Sequence, residues 1–213
     1  MNDLIIPNSD KSEEGYIKFN CKFIYCDCIT DKEIKEINYF RQKLFQAGFV
    51  GKDSNNISFG NISQRLQKRQ FIITGSDTGG IEKLRHEHYS KVIAWDIAKN
   101  TVVCEGLIRA SSETLSHAAI YDKLSGINAV IHIHHAGLWK QFIDILPTTK
   151  RTAEYGTVEL AKEIQCLLDD EKTQKEKIII MGGHEDGIII FDNTLKEANS
   201  SKYLKVKGNL KLI

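Results

Sequence analysis

The amino-acid sequence predicts a mixed α/β fold, a single domain with helices packed on a largely antiparallel central sheet. Three observations predict it. Short β-prone runs recur in pairs across brief connections, at 57–65 with 70–74, at 91–97 with 101–105, and within 177–191. Segments 30–47 and 157–169 place apolar residues at helical spacing. Strands and helices do not alternate strictly, which argues against a sheet built from repeated βαβ units.

Taken in order, residues 1–15 are polar and are read as a flexible N-terminal arm, with 16–213 as the domain. Tyr16 to Ile29 is a strand or a bent pair of strands. Thr30 and Glu33 fit a capping box, the threonine as N-cap and the glutamate reaching back to it. Ile34, Ile37, Phe40, Leu44 and Ala47 follow as one apolar stripe, and Gly48 or Gly51 ends the helix. Ile57 to Arg65 and Gln70 to Thr74 read as strands joined by a polar turn, Arg65 to Arg69. They lead into the glycine-rich loop Gly75-Ser76-Asp77-Thr78-Gly79-Gly80. Such loops expose backbone N–H groups that suit an anion.

Lys91 to Ile97 and Thr101 to Glu105 form a hairpin across Ala98 to Asn100. Ser111 and Ser112 stand where a helix begins, with Leu115, Ala118, Ala119 and Leu124 on its inner side. Serine there is a helix cap by default, but a helix N-terminus also attracts anions, and the two readings are compatible. Asn128 to His134 is a strand, followed by a variable stretch to Arg151. The segment Thr157 to Asp169 is an amphipathic helix through Leu160, Ile164, Leu167 and Leu168. Two β-prone runs in Lys177 to Phe191 are interrupted by Gly182 to Gly187, whose glycines mark a bend or the close approach of a ligand. Thr194 and Glu197 form a second capping box before a short helix and a lysine-rich tail.

Composition excludes several roles. Lys and Arg number 29 against 28 Asp and Glu, a formal charge of +1, so no overall basic field recruits nucleic acid. The tract Arg65 to Arg69 is locally basic and is read as a solvated turn. No apolar run reaches the length of a membrane span, and the N-terminus lacks a secretory signal pattern. The five scattered cysteines are expected to be reduced thiols of a cytoplasmic protein, and the Cys26, Cys28 pair lacks a partner pair for a metal site.

The chemistry concentrates in Ser111 to His135. Side chains alternate along a strand, so His132 and His134 leave it on one face, where two imidazoles could grip one metal ion. Two histidines packed at a strand end are the competing reading of that pair alone. Other motifs occur with it: Gly60-Asn61-Ile62-Ser63, the glycine-rich loop, Ser111-Ser112-Glu113 with His117 and Tyr121, and His184 after glycines. Tyr155-Gly156-Thr157 with Glu159-Leu160 adds a further segment.

In this order, from about Glu33 to Lys196, these motifs resemble the class II aldolase/adducin family, which includes fuculose-phosphate aldolase and ribulose-phosphate 4-epimerase. The resemblance implies that His132, His134 and His184 bind Zn2+, or another divalent metal such as Mn2+ or Co2+, leaving a position open for substrate. It implies that Glu113 is the catalytic acid/base and that Asn61, Ser111 and Ser112 cradle a phosphate. The glycine-rich loop, one residue longer than the aldolase form, completes the cradle through Ser76, Thr78 or Gly79. His117 is left out of the ligand set as a packed, hydrogen-bonded histidine.

The implied function is a metal-dependent lyase that cleaves or forms a carbon–carbon bond in a small phosphorylated sugar through a metal-stabilised enediolate. A dehydratase or epimerase on the same metal site, and a non-catalytic adducin-like assembly module, are the alternatives. Glutamate at position 113, where the epimerase branch has aspartate, favours aldolase or dehydratase. The segment between His134 and Tyr155 is shorter than in the sugar-phosphate aldolases, which carry a proton-donating tyrosine there. A C-terminal catalytic element of those enzymes is also expected to be missing. Tyr155 is either a substitute donor or a core or interface residue. The resemblance further implies a fold of three α/β/α layers and a homo-oligomer, commonly a tetramer.

Overall fold

The computed structural model describes residues 16–67 and 69–204. The elements run β1 (Asn20–Tyr25), α1 (Asp31–Gln46), β2 (Gly51–Lys52), β3 (Ser58–Phe59), β4 (Asn61–Gln67), β5 (Gln70–Thr74), β6 (Tyr89–Asp96), β7 (Thr101–Gly106), α2 (Thr114–Lys123) and β8 (Ala129–His134). They continue with α3 (Ala136–Phe142), α4 (Val158–Leu167), α5 (Glu171–Glu176), β9 (Ile178–Ile180), β10 (Gly187–Asp192) and α6 (Leu195–Asn199). The expected arm 1–15 and the end of the lysine-rich tail lie outside the described residues.

Eight strands make one sheet in the order β1-β7-β6-β5-β4-β8-β10-β9, and β2 pairs with β3 beside it. Every pairing in the large sheet is antiparallel except β1 with β7. Alternation along the strands feeds two cores. Phe71, Ile73, Val92, Val102, Val130 and Ile189 pack under α2 and α4 on one face. Ile62, Ile72, Ile131, Ile133, Ile188 and Ile190 pack under α1 and α6 on the other. The result is the expected three layers.

Local chemistry explains the boundaries. At the start of α1 the Thr30 amide donates to Glu33 Oε2 at 2.9 Å, and the Glu33 amide donates to Thr30 Oγ1 at 3.3 Å. The helix stops after Ala47, and Gly48 turns left-handed with φ 72°. Gly60 separates β3 from β4 at φ 75°, and a Cβ there would stand 2.6 Å from Val50 Cγ1 and 3.1 Å from the His132 carbonyl. Only glycine lets Asn61 enter the sheet beside His132.

Four expectations need correction. The tract Arg65 to Arg69 is a solvated turn only at its end, where β4 and β5 meet and Gln67 and Arg69 are exposed. β4 runs on to Gln67, and Arg65 donates to the carbonyls of Tyr121, Leu124 and Ile127, tying down the C-terminal end of α2. Arg69 lies over Trp95 and 3.3 Å from Asp122. The variable stretch after His135 contains helix α3, capped by the His135 side chain at the Leu138 amide, and α5 follows α4 across an Asp170 cap. The glycines 182 and 183 do mark a bend between β9 and β10, but what they approach is protein backbone rather than a ligand, since Cβ atoms there would meet the carbonyls of Thr149 at 2.2 Å and Ala153 at 2.4 Å. Finally, Cys26 and Cys28 are joined as a disulfide, while Cys21, Cys104 and Cys166 are free.

Candidate active site

The β8 register places Ile131 and Ile133 in the core beneath α1 and turns His132 and His134 to the face covered by α2. His184 arrives from the tight connection between β9 and β10. There its amide donates to the Met181 carbonyl and its carbonyl accepts from the Gly187 amide. The three rings converge by their Nε2 atoms, 3.2 Å from His132 to His134 and 2.9 Å from His134 to His184. Nitrogens bound to one tetrahedral zinc at 2.0–2.1 Å stand about 3.3 Å apart, so this donor set fits a divalent cation with little movement.

The protonation of His132 agrees. His132 Nδ1 lies 3.3 Å from the Ile188 carbonyl, which selects the tautomer with the proton on Nδ1 and the Nε2 lone pair aimed at the shared centre. Burial, reinforced by His134, His184 and His117, holds His132 well below the ordinary histidine pKa. A neutral imidazole is the form that ligates. A second cluster, Cys26, Cys28 and Glu105, has its two sulfurs bonded to each other and therefore presents no thiolate.

Glu113 is 3% exposed at the residue preceding α2, and its Oε2 accepts a 2.8 Å hydrogen bond from Ser116 Oγ. Ser111 precedes it, its Oγ accepting from the Glu113 amide at 3.3 Å and its carbonyl accepting from the Thr114 amide and hydroxyl. Ser111 therefore secures the helix entry, and Ser112 beside it is 5% exposed. His117, one turn further on, is fully buried with Nδ1 2.6 Å from Ser63 Oγ, which in turn meets Tyr121 Oη at 2.8 Å. Its role is internal, as expected.

A cleft of about 340 Å3, its mouth included, runs from this centre to the glycine-rich loop. Asn61, Thr78, Gly79, Ser111, Ser112, Glu113, His132 and His184 line it, joined by Ser58, Phe59, Gly60, Gly75, Asp77 and Tyr155. His134 stands at its edge, against the Phe59 ring at 5.3 Å. Ser76 does not line the cleft, and its place is taken by Asp77 at φ 58°. The Thr78 hydroxyl turns away to the Gly75 carbonyl at 2.7 Å, so beside Asp77 the loop presents backbone to the cleft. Two buried polar atoms of the cleft, Ser58 Oγ and Asn61 Oδ1, have no protein partner among the described residues. Such atoms call for a ligand donor or acceptor.

Tyr155 belongs to the wall. Its ring lies 5.1 Å from that of His184, and Lys18 Nζ sits 3.9 Å above it. The sequence reading missed Arg41, whose guanidinium ties the glycine-rich loop from behind. A signal was present, because Arg41 stands one turn after Ile37 on the buried stripe of α1, a place for an apolar side chain.

The chain matches the family of class II aldolase and adducin N-terminal domains over residues 42–202, and it belongs to that family. No curated protein sequence matches it significantly. Its fold is shared with L-fuculose-1-phosphate aldolase from Thermus thermophilus, at TM-score 0.56 and 18% identity over 79% of this chain and 86% of that one. It is shared with a sugar-phosphate aldolase from Thermotoga maritima, at TM-score 0.60 and 16% identity over 81% and 92%. The YgbL protein from Klebsiella pneumoniae aligns at TM-score 0.60 and 16% identity over 86% and 93%.

Proposed function

We propose that this chain is a divalent-metal-dependent lyase of the aldolase type, acting on a small phosphorylated sugar. The observation that carries the reading is the convergence of His132, His134 and His184 at one end of a cleft whose other end is a backbone-lined loop. Glu113 lines the same cleft. Family membership supports an aldolase-like activity. Among the described residues no helix is long and apolar enough to cross a membrane.

When bound, a divalent cation supplies Lewis-acid stabilisation of the negative charge that develops on cleaving a bond next to a carbonyl. His132, His134 and His184 would hold it. The protein's own groups do the rest. Asn61, Ser111 and Ser112, with the Gly79 amide, grip the phosphate and thereby fix the sugar along the cleft. Glu113, oriented through Oε2 by Ser116, takes and returns the proton at the reacting carbon. Phe59 and Tyr155 add aromatic rings to the cleft lining. By the same family resemblance we propose a homo-oligomer, commonly a tetramer.

The test pairs metal analysis with a substrate panel of ketose 1-phosphates and the matching free sugars. Cleavage of a phosphorylated member to dihydroxyacetone phosphate and an aldehyde, dependent on added Zn2+, Mn2+ or Co2+, is the expected result. Release of a dehydrated or epimerised product instead would move the reaction class while keeping the site. Absence of bound metal after incubation with each ion would overturn the proposal.

A further inference from the structure

Among the described residues Arg41 is the one arginine or lysine that is buried, at 2% exposure. Its Nη1 donates to the Glu82 carbonyl at 2.9 Å, and its Nη2 donates to the carbonyls of Thr78 and Gly79 at 3.0 and 2.8 Å. The guanidinium also stacks over Phe45 at 4.7 Å, with Tyr89 the other polar neighbour. No carboxylate among the described residues pairs with it. Burial lowers its pKa only to about 10, so it is a cation at neutral pH.

A buried charge with no countercharge is costly, and tying three carbonyls together does not require one. Neutral amides could do that. The charge therefore calls for an anion that these side chains do not provide. The loop's geometry says where such an anion would sit. Thr78 and Gly79 turn their carbonyls toward Arg41, and a trans peptide turns the following N–H to the opposite side. Thr78 and Gly79 also line the cleft. Arg41 thus polarises the peptide groups whose amide protons belong to Gly79 and Gly80, and strengthens those donors. The loop is held close as well, since a Cβ on Gly79 would stand 2.6 Å from the Gly51 carbonyl and 2.7 Å from that of Phe59.

We infer that Arg41 is a positioning residue for the anionic group of the ligand. It supplies the countercharge through the back of the glycine-rich loop, which tunes the cleft to a dianion such as a phosphate monoester over a monoanion. This inference rests on reading the cleft as the anion end of the proposed active site.

The experiment compares two probes of the same shape at pH 8, methyl phosphate as dianion and methyl sulfate as monoanion. Titration calorimetry follows each on the full chain, the Arg41→Met variant and the Arg41→Lys variant. Wild type should prefer the phosphate. Arg41→Met should weaken phosphate binding on the order of tenfold or more and sulfate binding by roughly threefold, because the lost Coulomb energy scales with ligand charge. Arg41→Lys, which keeps the charge and loses the fork, should restore most of the phosphate preference. A purely structural Arg41 would weaken both probes alike and would not be rescued by lysine.

Equal affinities in wild type and Arg41→Met, or a lysine variant no better than methionine, overturn the inference and leave the anion cleft standing. A wild type that binds neither probe overturns the anion cleft itself and the inference with it. Should Arg41→Met not fold, Arg41→Lys decides alone: a phosphate-to-sulfate ratio within about twofold of wild type supports the inference, and a collapsed ratio sinks it.

Discussion

Asn61 stands directly opposite His132 in the antiparallel ladder between β4 and β8. Residues so paired project side by side from one face of a sheet, with Cβ atoms about 5 Å apart. The amide assigned to the ligand's anion and the imidazole assigned to the metal are therefore set by the same register. A slip of one residue in either strand would send its member of the pair into the core beneath α1.

Asn61 yields the first prediction, because its Oδ1 is buried without a protein partner among the described residues. An unsatisfied buried polar atom destabilises by about 1–3 kcal/mol, and replacement by an apolar group of similar size is neutral or better. Asn61→Leu should accordingly match wild type or exceed it by about 1 kcal/mol in urea unfolding, while phosphate-ester binding weakens at least tenfold. A clear loss of stability would show instead that the amide serves the fold.

The proposed metal centre makes a sharper demand. His184 is set on a hairpin turn rather than in a strand, so its removal leaves the β8–β10 ladder intact. His184→Ala should retain its secondary structure by circular dichroism and lose the roughly one equivalent of divalent metal expected per wild-type chain. Chelator should lower the melting temperature of wild type and leave that of the variant unchanged, since only a bound ion stabilises by mass action. Retention of tightly bound metal by His184→Ala would dismiss this site.

Glu113→Gln separates chemistry from binding. The amide is close in shape to the carboxylate, and its oxygen can still accept from Ser116 Oγ. Metal content and phosphate-ester affinity should stay within about threefold of wild type. Turnover on whichever sugar phosphate is cleaved should fall by about 10²–10⁴, the usual effect of losing a positioned acid/base. A fall in binding with unchanged turnover would reassign Glu113 to the cradle.

Much of this was legible in the residues because the signals are local. Alternation put His132 and His134 on one face, and the Thr30 capping box and the Thr194 N-cap fixed two helix starts. Other features depend on contacts distant in sequence and carry no local mark. Glycines 182 and 183 give way to the 149–153 backbone rather than to a ligand. The basic run at Arg65 to Arg69 looks solvated until Arg65 meets the end of α2. Helix α3 was obscured because its cap is a histidine, His135, an uncommon residue there. Loop contacts decide which of Ser76, Asp77 and Thr78 line the cleft, and no local pattern selects among the three.

His117 gives the last prediction, through acid. It is fully buried beside Ser63, and burial alone lowers its pKa to about 3. In the unfolded chain the same ring titrates near 6.5. Below pH 6.5 the unfolded state therefore binds a proton that the folded state refuses, and stability falls as the pH falls, down to about 3. His132 acts in the same direction, because its pKa is also depressed by burial. Each such histidine contributes a slope of about 1.4 kcal/mol per pH unit inside its window. Chelator-treated protein should thus lose stability to urea steadily between pH 6 and pH 4, with no plateau. His117→Gln keeps an amide within reach of Ser63 and cannot titrate, so its slope over that range should be shallower by about 1.4 kcal/mol per unit. The variant will start from lower stability at neutral pH, and the comparison is therefore of slopes alone. An unchanged slope would mean that His117 is protonated in the folded protein, with Ser63 and Tyr121 arranged around an imidazolium.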